Sequence, residues 1–315
     1  MSLSKYKLLL SLFALFTALL TGCASTTKVD SPQLTLKTPR YGHAVINDGN
    51  HIYVFSGSHN KKLLSDVEII HPKTGVIKVL ADKLIPRRYF SAVWDGQHSV
   101  YIIGGISVNN KRARYENRVE IFNTKTHEIT MAKPLPIPTR VNSAVYLDGK
   151  IFVFGGSHKR VRQVVARSLV SVFDINKNQW QRATDMPTAK ETRAVVKDGL
   201  IYVVGGYDNA FAMNVFEQFD PKTNQWTTLE PLPFKVSAHS LTVSGNKLYL
   251  YGNYNDLTAN YAYDFTTEQW QKLDNGYKAS RHNAATTLND KVYVIGGNTA
   301  SKASALDYIQ VFTAE

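Results

Sequence analysis

Apolar residues in this chain come in short runs cut off by clusters of Asp, Asn, Gly, Pro and Lys, and beyond the N-terminal leader no stretch sustains a 3.6-residue period. Runs of that length between turn residues predict β-strands. Six of them end alike, at a glycine pair or a close variant: Ile52 to Gly57, Val100 to Gly105, Ile151 to Gly156, Ile201 to Gly206, Leu248 to Asn253 and Val292 to Gly297. Their last residues are 48, 51, 50, 47 and 44 positions apart, a repeat of nearly constant length. Each period holds four strand-like pieces. In the fourth these are Ala194 to Val196, Ile201 to Gly206, Val215 to Phe219 and the segment at Trp226, with Lys197-Asp198-Gly199 and Asp220 to Gln225 as turns. One four-stranded antiparallel meander per period follows.

The unit resembles the kelch repeat. That family's marks are an Arg before the first strand, a glycine pair ending the second, an aromatic in the third and a Trp in the fourth, and they are legible over residues 32–315. The resemblance implies an all-β fold, a six-bladed kelch-type β-propeller. Trp180, Trp226 and Trp270 occupy the Trp position; Ile77 and Ile129 replace it in blades one and two, and Asn253 replaces the second Gly of blade five, where its tolerance of positive φ suits it. After Leu306 to Phe312 only Thr313, Ala314 and Glu315 remain, so the last blade lacks a fourth strand. Leu34-Thr35-Leu36-Lys37-Thr38-Pro39-Arg40 reads like the end of one, and residues 33–37 are expected to complete that blade and close the ring.

The first residues form a separate module. Lys5 and Lys7 precede an apolar stretch, Leu8 to Leu20, that is too short for an ordinary membrane span, and the segment ends in Leu20-Thr21-Gly22-Cys23. This resembles the lipobox of bacterial lipoproteins and implies a signal peptide over 1–22, acylation of Cys23, a tether over 23–31 and a propeller over 32–315. Ala24 after the Cys implies the outer membrane of a Gram-negative cell, facing the periplasm or the cell surface. Several acyl chains anchor stably where one would not.

Composition narrows the chemistry. Cys23 is the only cysteine, which excludes a disulfide in the mature chain, a CxxC site and the Cys–Tyr copper centre of galactose oxidase. The nine histidines show no close metal-ligand spacing, and His43 and His239 fall where kelch repeats often carry a structural His. There is no nucleophile elbow, Walker loop or dinucleotide fingerprint. No cofactor, metal or nucleic-acid partner is implied, and a monomer is expected.

Positive charge is the feature left over. The chain carries a net +12, falling to +10 once Lys5 and Lys7 leave with the leader. Aligning the first strands sets Arg40, Arg88, Arg140, Lys190, Val236 and Arg281 at one position ahead of them. These cations either hold blade junctions, pairing with Glu68, Glu120 and Glu217 of the third strands, or line a ligand site, as arginines at the matching position do in kelch domains that capture acidic peptides. The loops after the glycine pairs of blades one to three hold ten cations, among them Arg112, Arg114, Arg160 and Arg162, against Asp66 and Glu116; those of blades four to six hold Lys302 against Asp208 and Asp256. Such a flank attracts anions.

Two functions fit. One is an envelope-anchored binding or scaffold lipoprotein whose cationic face holds an anionic glycan, lipopolysaccharide or an acidic envelope protein. The other follows from resemblance to the periplasmic sialic acid mutarotase, a six-bladed kelch enzyme acting on a carboxylate sugar. For that chemistry Glu191, two residues before Arg193, is the candidate acid–base group.

Overall fold

The computed structural model describes residues 34–299 and 304–314. The expected leader, Cys23, the tether and Lys302 lie outside them. Among the described residues there are strands and no helix. Five four-stranded sheets and one three-stranded sheet run in chain order, each an antiparallel meander, and together they form the six blades. The Asp-Gly turns work as read: Asp198 and Gly199 have φ of 52° and 77°, the doubly positive pair of a type I′ hairpin.

The core lies between blades. Each second strand is buried over most of its length, as Ile52–Phe55 and the four residues after Lys150 in Lys150–Phe154 show, and its side chains interleave with those of the adjacent sheets. The outer-strand tryptophans pack on third-strand aromatics, with ring centroids 4.9 Å apart for Phe173 and Trp180 and for Phe219 and Trp226. Their indoles also reach across a junction, Trp180 Nε1 donating to the Lys133 carbonyl (2.8 Å) and Trp226 Nε1 to that of Thr184 (3.0 Å). Ile77 and Ile129 stand at the same register, opposite Ile70 and Phe122.

The glycine pairs sit where one blade's chain passes under the next. A Cβ on Gly155 would lie 2.3 Å from the Lys190 carbonyl oxygen, and φ there is +55°. Asn253 works differently from the expectation. It does not adopt positive φ; its side chain accepts from the Ser237 N–H (3.2 Å) and donates to the Lys235 carbonyl (3.0 Å), so it replaces the glycine by binding the neighbouring loop.

The last blade contributes three strands, Ala284–Leu288, Lys291–Ile295 and Ile309–Thr313. Against the edge of the third, Thr35 bridges Tyr308 antiparallel and the Leu36 N–H donates to the Asp307 carbonyl (2.9 Å). Leu34 and Leu36 are buried among Ile52, Ile70, Tyr293 and Ile309, joining the last blade to the first. Burying two leucines contributes about 3–6 kcal/mol. Deletion of residues 32–38 should therefore lower the melting temperature by roughly 10 °C or more; an unchanged melting temperature in a calorimetric scan would show that the segment closes nothing.

Candidate functional site

Backbone contacts between blades set the register at the channel. The carbonyls of Arg40, Arg87, Thr139, Lys190 and Val236 each accept from the N–H of the second glycine of the preceding blade (Gly297, Gly57, Gly105, Gly156 and Gly206) at 2.8–2.9 Å. Residues at this position turn away from the channel. Arg40, Arg87 and Lys190 are fully buried and paired with Glu68 (2.5 Å), Glu120 and Glu217 of the third strands. Arg40 also meets Asp66 at 2.8 Å, and Glu68 takes the N–H groups of Lys37 (2.8 Å) and Thr38 (3.0 Å). Burial pulls the pKa of Arg87 and of Lys190 down, and the partner carboxylates oppose it.

One residue later the chain faces the channel, at Tyr41, Arg88, Arg140, Glu191, Ser237 and Arg281. The sequence alignment of six residues at one position thus needs correcting: Arg40, Lys190 and Val236 occupy the buried position, and Arg88, Arg140 and Arg281 the channel position. Successive side chains of an extended segment point to opposite sides, so a slip of one residue separates a junction cation from a channel cation. Arg87 was missed because Arg88 beside it satisfied the same pattern.

Blade four differs from the others. At the next position Gly42, Tyr89, Val141, Ala238 and His282 all have positive φ, between 50° and 60°, whereas Thr192 does not. Here the innermost strand, Glu191–Lys197, extends to the channel through a bulge between Glu191 and Arg193. Thr192 turns into the blade, its hydroxyl donating to the Val204 and Gly205 carbonyls (3.1 Å each), and Glu191 and Arg193 on either side of it face the channel together.

The result is a cavity of about 420 Å³ at the channel mouth, lined by Arg140, Glu191, Arg193, Tyr207, Phe211 and Tyr254 among others, with Tyr89 and His282 in its wall. Arg140 Nε meets Glu191 at 3.2 Å. Arg88 donates to the Tyr41 hydroxyl (2.8 Å) and lies 5.0 Å from the Tyr89 ring centroid; Arg281 donates to the Tyr254 carbonyl (3.1 Å) and lies 3.9 Å from that ring. Arg193 Nη1 is held by the carbonyl of Thr192 (3.0 Å). Burial, then Arg281, Arg193, Arg88 and Arg140, hold the His282 pKa down at about 3, so its imidazole is neutral at physiological pH and four guanidiniums share its surroundings. Burial raises the Glu191 pKa above the usual carboxylate range, opposed by Arg140 and Arg193. His43 and His239 are buried at the heads of their strands, each pulled to about 3 by burial first and then by Arg40 and Arg193 respectively.

The loop cations stand apart from this cavity. The expected loops are two-stranded hairpins, Ile106–Asn109 with Arg112–Tyr115 and Ser157–Arg160 with Gln163–Ala166. Arg112, Arg114, Arg160 and Arg162 are exposed on them; Arg114 reaches Glu116 only at 3.9 Å, and the other three have no carboxylate within 4 Å among the described residues. The aromatic lining was not read from the sequence. Phe211 and Tyr254 are 71% and 51% exposed at the rim, a signal visible only once the blades are placed.

Comparison with known proteins agrees with this architecture. Residues 42–253 match the family described as the KLHDC2/KLHL20/DRC7 Kelch-repeats domain. The chain is 27% identical to Kelch-like protein 26 of Danio rerio over 52% of its own length and 28% of that protein. It is 27% identical to Beta-scruin of Limulus polyphemus (66% of this chain, 24% of the relative) and 27% identical to Kelch-like protein 38 of Rattus norvegicus (76% and 40%). It spans from 24% to 40% of the length of these relatives.

Proposed function

Because the chain belongs to the kelch-repeat family and its channel mouth gathers four guanidiniums around one carboxylate, we propose that it is a binding or scaffold propeller that captures an acidic group of its partner there. The observation that carries this reading is the charge at the cavity: Arg140 and Arg193 line it against Glu191 alone, and Arg88 and Arg281 stand close enough to His282 in its wall to act on its charge. Guanidinium forks bind carboxylate and phosphate oxygens in pairs, and aromatic walls exclude the water that would weaken them. The exposed hairpin cations of blades one to three extend the positive field outward and steer an acidic protein segment, an anionic glycan or lipopolysaccharide to the mouth. Acylation at Cys23 would hold the propeller at the outer membrane of a Gram-negative envelope. A second reading, a sugar-acid mutarotase, draws on one feature: Glu191, a carboxyl shifted towards its protonated form beside Arg193, has the character of a general acid.

Titrating the protein separately with an acidic peptide, lipopolysaccharide and N-acetylneuraminate distinguishes these. Binding of the polyanions should weaken steeply between 50 and 200 mM salt, screening lengths of roughly 10 Å applying there, and replacing Arg112, Arg114, Arg160 and Arg162 by Ser should reduce it without moving the melting temperature. Saturable N-acetylneuraminate binding with accelerated anomer exchange, lost in Glu191→Gln, would establish the enzyme instead. Intact mass measurement of the membrane-extracted protein should show an acylated Cys23, and an unmodified N-terminus would end the lipoprotein reading.

A further inference from the structure

The positive-φ residues of the channel are joined by backbone hydrogen bonds that run from blade to blade: His282 N–H to the Ala238 carbonyl (2.8 Å), Gly42 to His282 (2.9 Å), Tyr89 to Gly42 (2.7 Å) and Val141 to Tyr89 (2.8 Å). This collar passes five blades and stops at the fourth, where Thr192 belongs to a regular strand. Two groups are left open at the break. The Ala238 N–H has no hydrogen-bond partner among the described residues, and neither has the Val141 carbonyl. Both residues line the cavity. A donor left open in this way is available to an acceptor that enters the cavity, and an unmet buried N–H favours one that does.

The arginines are not equivalent either. Arg88 is committed to Tyr41, Arg140 to Glu191 and Arg281 to the Tyr254 carbonyl. Arg193 bonds only the carbonyl of the residue before it, through Nη1, and it lines the cavity with Ala238; Arg88 and Arg281, which also keep N–H groups without a partner among the described residues, do not line it. It stands on the strand that makes the break, and it lies close enough to His239, the residue after Ala238, to depress its pKa.

Resting on the binding function above, we propose that the break in the collar at blade four is the seat of the ligand's acidic group, a carboxylate with one oxygen on the Ala238 N–H and the other on the Arg193 guanidinium. Arg88 and Arg281 then act as a cationic surround, while the seat itself pairs one preset backbone donor with one free fork. The arrangement is that of a preorganised anion hole, in which the donors are already aimed and need no reorganisation.

Titration with acetate tests it, followed by the backbone amide signals of the isotope-labelled protein. The Ala238 amide proton should move downfield saturably, Arg193→Gln should weaken acetate about tenfold or more, and Arg281→Gln less than threefold; an unchanged amide spectrum away from the channel would certify that each variant is folded. Saturable acetate binding that leaves Ala238 unmoved, or that survives Arg193→Gln and is lost in Arg281→Gln, would overturn the seat and leave anion capture standing. Absence of saturable binding of acetate together with the larger acidic ligands would overturn both.

Discussion

Arg87→Ala is expected to lower stability by about 3–5 kcal/mol, whereas Arg88→Ala, one residue on, should leave the melting temperature within a degree or two and weaken anion binding instead. The two side chains differ in where they point. Arg87 is fully buried and bonds the Gly104 carbonyl (2.9 Å), the Arg118 carbonyl (3.2 Å) and the Glu120 carboxylate, itself almost fully buried. Removing it strands an ionised carboxylate and two carbonyls between blades one and two. The cost arises from that uncompensated charge, so Arg87→Ala with Glu120→Ala together should be less damaging than Arg87→Ala alone. Arg88 has a hydroxyl and two aromatic faces as neighbours and no carboxylate within 4 Å among the described residues, so truncation strands none of their charges. Denaturant unfolding of the three variants checks this; equal stability losses at 87 and 88 would contradict the register.

Glu191→Gln should both tighten capture of acidic ligands, by about tenfold at neutral pH, and raise the melting temperature there. Burial raises the pKa of this carboxyl, so folding favours its protonated form. The sign follows from linkage: for a group raised in the folded state, its contribution to stability is fully present below the unfolded value near 4.3 and is lost as pH rises through the folded value. Glutamine mimics the protonated form at every pH. The stability gain of Glu191→Gln should therefore appear above that range and vanish in acid. Wild-type affinity for an acidic ligand should fall over the same rise in pH, because the ionised carboxylate repels the ligand and holds Arg140, and the variant should lack that dependence. A variant that binds more weakly than wild type would show that Glu191 serves the ligand directly, as an acid–base group does.

What the sequence by itself determined is the repeat. Apolar runs ending in glycine pairs define the second strands, because a Cβ at most of these positions would strike neighbouring backbone, Ser56 and Asn253 being the two exceptions; Asp-Gly turns define the hairpins; Trp180, Trp226 and Trp270 mark the outer strands. The closing segment was legible too, since the last blade lacks a fourth strand and Leu34-Thr35-Leu36-Lys37 reads like the end of one. These features are local, and local chemistry decides them. The site is not local. Whether a cation before a first strand locks a junction or faces the channel depends on a register of one residue, which composition at neighbouring positions such as Arg87-Arg88 leaves open. That Glu191 and Arg193 share the cavity depends on a bulge in one blade of six, and the aromatic rim of Tyr89, Phe211, Tyr254 and His282 is drawn from separate repeats. Only closure of the ring brings them together, because channel neighbours are about fifty residues apart in sequence and meet through side chains that no single repeat contains.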